Sequence, residues 1–225
     1  MNKKILGVMF GLLSMAAISS AAPVGCPGIP PALLADTVDA GNTVGGLSFS
    51  CGGLTFSNFL VTDAGNVAVG TQMFLSGATV DVATGIVELN FNPNLTNGSV
   101  VQDMHFSFTV TGGINYVDLT VFGSNSTISE TACATPIVPI NTGCTPALVP
   151  TIVGVSGGAQ VTSQTFNSLT SPVTIFKDIN RGIGGDLTSF NQSFHTPVPE
   201  PMTLSMMGLG LLGLGLVRRR QQGKK

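Results

Sequence analysis

Tryptophan is absent from this chain of 225 residues, and Tyr116 is its only tyrosine. Sugar sites commonly stack their ligands on such rings, so a glycan-cleaving site of that kind is disfavoured. Histidine occurs twice, as His105 and His195, and no Cys-x-x-Cys spacing exists. Zinc draws on closely spaced Cys and His ligands, so neither a metal site nor a cofactor is expected. Charged residues are only 9% of the chain. The acids Asp36, Asp39, Asp63, Asp81, Glu88, Asp103, Asp118 and Glu130 are scattered rather than paired for general acid–base work. No repeat at the 20–50-residue spacing of solenoids is found.

Positive charge is missing from the middle. Lys3 and Lys4 stand at one end, and Arg218, Arg219, Arg220, Lys224 and Lys225 at the other. Between them, over 22–198, ten acids face only Lys177 and Arg181, a net of −8. Two cations cannot neutralise many phosphates, so nucleic-acid partners are excluded. Such a surface is also repelled by anionic lipid head groups.

The two ends are of another kind. Lys3-Lys4, the apolar run 5–18 and the small residues Ser19-Ser20-Ala21-Ala22 read as a secretory signal peptide over 1–21. At the far end a Pro-rich spacer, 196–201, precedes the uncharged apolar stretch 202–217. The prolines stop regular structure there. The stretch falls slightly below the usual spanning length of roughly 17–25 residues, yet suits a thin bilayer. Gly208, Gly210, Gly213 and Gly215 argue against a water-exposed core helix, since each costs about 1 kcal/mol relative to Ala. A single transmembrane helix over 202–217, with Arg218, Arg219 and Arg220 kept in a basic cytoplasmic tail (218–225), is expected.

Val198, Pro199, Glu200 and Pro201, followed by a short Gly/Leu/Met-rich helix and a closing arginine cluster, resemble the PEP-CTERM sorting signal of Gram-negative bacteria. That resemblance implies recognition of the Pro-Glu-Pro element by an exosortase, a membrane-embedded cysteine peptidase-like enzyme. It also implies export through the general secretion machinery and a precursor held in the inner membrane. The mature form is then expected at the cell surface or outside the cell, with extracellular polysaccharide or biofilm matrix as a candidate partner.

The middle, 22–195, is long enough for one core and is rich in Gly, Thr, Ser, Asn, Val and Phe. Met104, Phe106, Phe108 and Val110 alternate with polar residues, and Val117, Leu119 and Val121 do the same opposite Asp118 and Thr120. With Gly112-Gly113 between them, these runs predict a hairpin. Further strands are expected over 54–61, 78–82, 86–91, 160–166, 173–179 and 187–194. One short helix is expected over 31–38, after Pro31 and before Gly41. The proline-bearing stretch 136–150 reads as a surface loop. The expected fold is all-β: a single antiparallel sandwich or jelly roll. The domain also resembles a group of PEP-CTERM proteins opening on Cys26, a second Cys and a phrase like Leu54-Thr55-Phe56-Ser57-Asn58-Phe59. Glu130-Thr131-Ala132-Cys133, Lys177-Asp178-Ile179 and Phe190-Asn191-Gln192-Ser193-Phe194 are its later markers. It implies one β domain and no catalytic role.

Cys26, Cys51, Cys133 and Cys144 form an even set, which in an oxidising compartment favours two disulfides. Three pairings are open; Cys26–Cys51 with Cys133–Cys144 is expected, since each pair encloses one loop-rich stretch. Gly154-Val155-Ser156-Gly157-Gly158 spells a nucleophile elbow, with Asp178 or Asp186 and then His195 following in hydrolase order. A nucleophile elbow turns from strand into helix, and the β-like run after Ser156 does not. Asp178-x-Asn180-x-Gly182-x-Gly184-Gly185-Asp186 has oxygen side chains spaced for calcium, but Arg181 opposes a cation, so it reads as a hairpin turn. Sequon spellings at Asn94, Asn97, Asn125 and Asn191 read as turn chemistry. The expected protein is a non-enzymatic, exported structural or adhesive component. A serine hydrolase using Ser156 and a calcium- or carbohydrate-binding module are the alternatives.

Overall fold

The computed structural model describes residues 22–26, 32–35, 48–65, 73–93, 95, 98–133, 152–155, 161–170 and 172–197. The expected signal peptide, the loop at 136–150, the transmembrane stretch and the basic tail lie outside them. Among the described residues every regular element is a strand, and no helix is long and apolar enough to cross a membrane.

Eleven strands are described: β1 (Val24–Gly25), β2 (Ala32–Ala35), β3 (Phe49–Cys51), β4 (Leu54–Gly65), β5 (Met73–Asp81), β6 (Ile86–Asn92), β7 (Gln102–Thr111), β8 (Ile114–Cys133), β9 (Ile152–Val155), β10 (Val161–Thr170) and β11 (Val173–His195). All pair antiparallel in one sheet, with the order β1-β5-β6-β11-β7-β4-β3; β2 joins β5, and β8 carries β9 and β10. Alternation decides which side chains turn inward, as in β6 and β7.

The long ribbon of β8 and β11 organises the rest. Val173–Arg181 of β11 pairs with β7 on one side and with the distal half of β8 on the other. Beyond a register break at Arg181/Asp186, the remainder of β11 pairs with the proximal half of β8 and with β6. Gly123 and the 182–185 stretch sit at that break. Gly123 has φ +147°, and a Cβ there would meet the Asp186 carbonyl oxygen at 2.2 Å, so only glycine lets the strands approach so closely.

The sheet curls at this break, and its two flanks face each other in a sandwich-like arrangement. Phe91 and Phe190 from one flank stack at 5.0 Å, and Phe91 meets Phe106 of the other edge-on at 5.1 Å. Phe56 and Phe108 reach Phe194 across the core at 5.3 and 6.0 Å. Burying such side chains contributes about 1.5–3 kcal/mol each. Cys26, beside β1, is bonded to Cys51 of β3, so the disulfide ties the two ends of the main strand path together. Cys133 is also disulfide-bonded; Cys144 lies outside the described residues.

Three sequence expectations are corrected here. Ala32–Ala35, placed in a short helix over 31–38, is strand β2 on the edge of β5. So short a helix has too few internal hydrogen bonds to offset nucleation, whereas an open sheet edge supplies partners at once. The runs around Met104 and Tyr116 do not pair with each other. Gly112 (φ +119°) and Gly113 (φ +81°) carry the chain between β7 and β8, which lie on opposite sides of β11. The Gly-rich stretch from Asp178 to Asp186 is a bulge inside one 23-residue strand, not a hairpin turn between two. Asn191 and Asn125 likewise sit within strands, Asn125 at the bend of β8 with φ +45°.

Candidate functional site

Four groups of side chains and backbone need a chemical account. The first is the junction between the domain and its tail. β5 and β6 are joined by a tight turn in which the Gly85 amide donates to the Asp81 carbonyl at 2.8 Å. Asp81 Oδ1 accepts from the Ala83 amide at 2.9 Å. Hydrogen bonds from the Thr84 hydroxyl and the Ala83 amide hold this exposed carboxyl below its usual range. The turn in turn receives the end of β11: the Thr196 amide and hydroxyl both donate to the Gly85 carbonyl, at 3.2 and 3.0 Å. Val198, Pro199, Glu200, Pro201, Arg218, Arg219 and Arg220 fall outside the described residues, so the described chain ends at Pro197.

The second group lies inside the core. Lys177, Glu130 and Gln192 are fully or almost fully buried, at 0%, 1% and 0% exposure. The Lys177 ammonium donates to the Glu130 carboxylate and to the Gln192 carbonyl, and Gln192 Nε2 donates to Glu130 Oε1 at 3.3 Å. Lys177 also lies over the Phe190 ring, 5.2 Å from its centroid. Burial pushes the Lys177 ammonium below its ordinary range, opposed by the Glu130 charge.

Arg181, also buried, closes the bend. Its Nε donates to Gln102 Oε1 at 2.7 Å, Nη1 to the Gly185 carbonyl at 3.0 Å and Nη2 to the Val100 carbonyl at 2.8 Å. Among the described residues no carboxylate forms a salt bridge with it. The planar guanidinium thus ties together backbone carbonyls from both sides of the bend. Both cations of the domain are used in this internal work, which leaves the outer surface without positive charge.

The third group is His195 and its surroundings. His195 Nε2 lies 2.7 Å from Asp118 Oδ2, and Tyr116 packs edge-on against the imidazole at 4.6 Å. Sequence reasoning set Asp178 or Asp186 beside His195. Asp186 instead accepts from Ser124 Oγ at 2.6 Å, while Asp178 faces His105 in the register. Ser156 lies outside the described residues. The partnership of Asp118 with His195, 77 positions apart, had no local signal beyond Asp118's place on the polar face of its strand.

The fourth group was not marked by any motif. Asp103, His105 and Asp178 each offer one ligand atom, and these atoms lie within 4.8 Å of one another. In the sequence Asp178 stands in the calcium-like spelling with Asn180 and Asp186 and in the hydrolase order before His195, and neither pattern links it to Asp103 or His105.

Residues 197–220 match the family described as the PEP-CTERM protein-sorting motif. No curated protein matches the chain. Among solved structures, the enzymatically active domain of bacteriophage CBA120 tailspike protein 4 is similar over 62% of this chain and 18% of that one. The identity is 11% and the TM-score 0.30, so the chain spans under a fifth of that protein.

Proposed function

We propose that this chain, which carries a PEP-CTERM sorting signal implying export and exosortase processing, is a structural or adhesive component of the envelope or exopolysaccharide matrix. In this reading residues 1–21 are a signal peptide and 202–217 a transmembrane helix that holds the precursor in the inner membrane. Pro199, Glu200 and Pro201 are the recognition element, and Arg218–Arg220 set the orientation. The mature domain then works at the cell surface or outside the cell, without catalysis.

The observation carrying this is the join between fold and signal. The last described strand ends at His195, Thr196 is bonded to the Gly85 turn, and the matched motif begins at Pro197. The motif therefore hangs directly from a folded domain with no long linker. One outer face of that domain presents Asn90, Asn191 and Thr120 in one cross-strand row, and Glu88, Ser193, Asp118 and Ser163 in the next. Amides, hydroxyls and carboxylates of this kind suit the hydroxyl groups of a polysaccharide.

Replacing Pro199, Glu200 and Pro201 together with Ala is expected to leave full-length precursor in the inner membrane. Mature protein of normal mass at the cell surface in that variant would refute sorting by this element. The hydrolase alternative keeps one supporting contact, His195 on Asp118, because a carboxylate can orient an imidazole base. Ester hydrolysis by wild type that is lost in Ser156→Ala would favour that alternative.

A further inference from the structure

We propose that Asp103, His105 and Asp178 bind a divalent transition-metal ion of the zinc–manganese class. The inference is independent of the sorting signal. It starts from register. Thr62 of β4 is the Cα partner of His105 on β7, and His105 is the partner of Asp178 on β11. These three residues form one row across three hydrogen-bonded strands, and residues so aligned present side chains on the same face. Asp103 lies two positions before His105 on β7, hence also on that face. Two hydrogen-bonded strands, β7 and β11, therefore hold one imidazole and two carboxylates in a frame that cannot easily spread.

The spacing fits an ion. Tetrahedral zinc bonds of about 2.0–2.2 Å put ligand atoms roughly 3.3–3.6 Å apart, and the candidate atoms lie within 4.8 Å of one another. Rotation of the three side chains, moving ligand atoms by up to about 1 Å each, closes the set. All three residues are partly exposed, so an ion has a path from solvent. Independent of the acids, Thr62 in the same row carries an unsatisfied buried hydroxyl. It is 8% exposed, shares the His105 face, and its Oγ1 is buried without a hydrogen-bond partner. A buried hydroxyl in that condition is costly. A hydrated ion bound at the adjacent trio would supply a water as its partner.

Ligand chemistry selects the metal. Calcium and magnesium prefer all-oxygen sets, while a mixed imidazole–carboxylate set suits zinc and manganese, with zinc the tighter of the two. Three protein ligands leave at least one coordination position open.

The test uses the full-length protein in detergent, without a polyhistidine tag, stripped with chelator and titrated calorimetrically with zinc, manganese and calcium. Expected is one zinc per chain, weaker manganese and weaker calcium. A hundredfold excess over Kd should raise the melting temperature by roughly 5 °C or more. Asp178→Asn and His105→Ala should each weaken zinc at least tenfold, while His195→Ala and Asp186→Asn should not. X-ray absorption of the loaded protein should report one nitrogen and at least two oxygen ligands. Absence of saturable zinc binding overturns the proposal, as does binding that survives both Asp178→Asn and His105→Ala, or that is lost in His195→Ala. The near-isosteric Asp178→Asn, checked for an unchanged metal-free melting temperature, keeps the result readable if His105→Ala folds poorly.

Discussion

Gln192 lies 15 residues beyond Lys177 on the same strand, yet the Lys177 ammonium donates to its side chain inside the core. The two can meet only because β11 folds over at its bulge and brings its halves face to face. Glu130 of β8 completes the triangle. A buried ion pair of this sort is balanced between desolvation and attraction, so its removal is informative only when done from both sides.

Removing one partner strands the other in the core. Lys177→Met or Glu130→Leu alone is expected to destabilise the domain by about 3–5 kcal/mol. The double variant Lys177→Met/Glu130→Leu should lie within roughly 1–2 kcal/mol of wild type, since no uncompensated charge remains. Urea unfolding of the four proteins measures the coupling, and additive single and double losses would contradict it.

The pH dependence follows from the depressed Lys177 ammonium. Unfolded, the group titrates near 10.5; folded, it titrates lower because of burial. Between these values the unfolded chain binds more protons, so stability rises with pH across that window. The slope from Lys177 is at most about 1.4 kcal/mol per pH unit. Wild type should therefore gain stability relative to Lys177→Met/Glu130→Leu as pH approaches 10.5. Parallel urea midpoints in the two proteins would disprove the linkage.

The bend itself is testable at a glycine. A methyl group at Gly123 would meet a peptide oxygen, not a movable side chain, whereas at Gly53 (φ +82°) nothing lies within 4 Å. Gly53→Ala should cost roughly 1 kcal/mol from backbone strain alone. Gly123→Ala should cost clearly more, because the β8–β11 approach must open as well. Equal losses in thermal denaturation would mean that the close contact is not limiting.

Reduction should loosen the edges of the sheet. Cys26 and Cys51 are 25 positions apart, and closing a loop of that length restricts the unfolded chain by roughly 3.5 kcal/mol in the entropy model. For a domain of this size that corresponds to a fall of about 7–14 °C in melting temperature. Cys26→Ser/Cys51→Ser should show that fall in calorimetry, and reduction, which also opens the Cys133 disulfide, at least as large a one; an unchanged midpoint in the variant would show that the bond forms no constraint on folding.

Several strands are legible in the sequence because their cores alternate strictly. Phe106, Phe108, Val117 and Leu119 all turn inward as their spacing predicts. The Cys26–Cys51 bond was also anticipated. The short helix failed because a few apolar residues after a proline fit either a helical turn or an edge strand. Tertiary pairing with β5 made the choice. The bulge after Arg181 failed for a similar reason: glycines between two strand patterns read as a turn, and only the continuous partner β8 shows that the strand goes on. The metal trio escaped because Asp103-x-His105 lacks a motif until Asp178 is placed opposite.

What the chain alone determined is local. Alternation marks strands, glycines mark where the backbone must turn or approach closely, and the residues of the C-terminus spell the sorting motif. What only the folded state decided is partnership: which strands are neighbours, which carboxylate meets His195, and that Lys177, Glu130 and Arg181 face inward. The reason is that side-chain direction follows from a period of two residues, which each segment carries within itself. Pairing, by contrast, depends on contacts between segments tens of residues apart, and many arrangements of similar strands satisfy the same alternation.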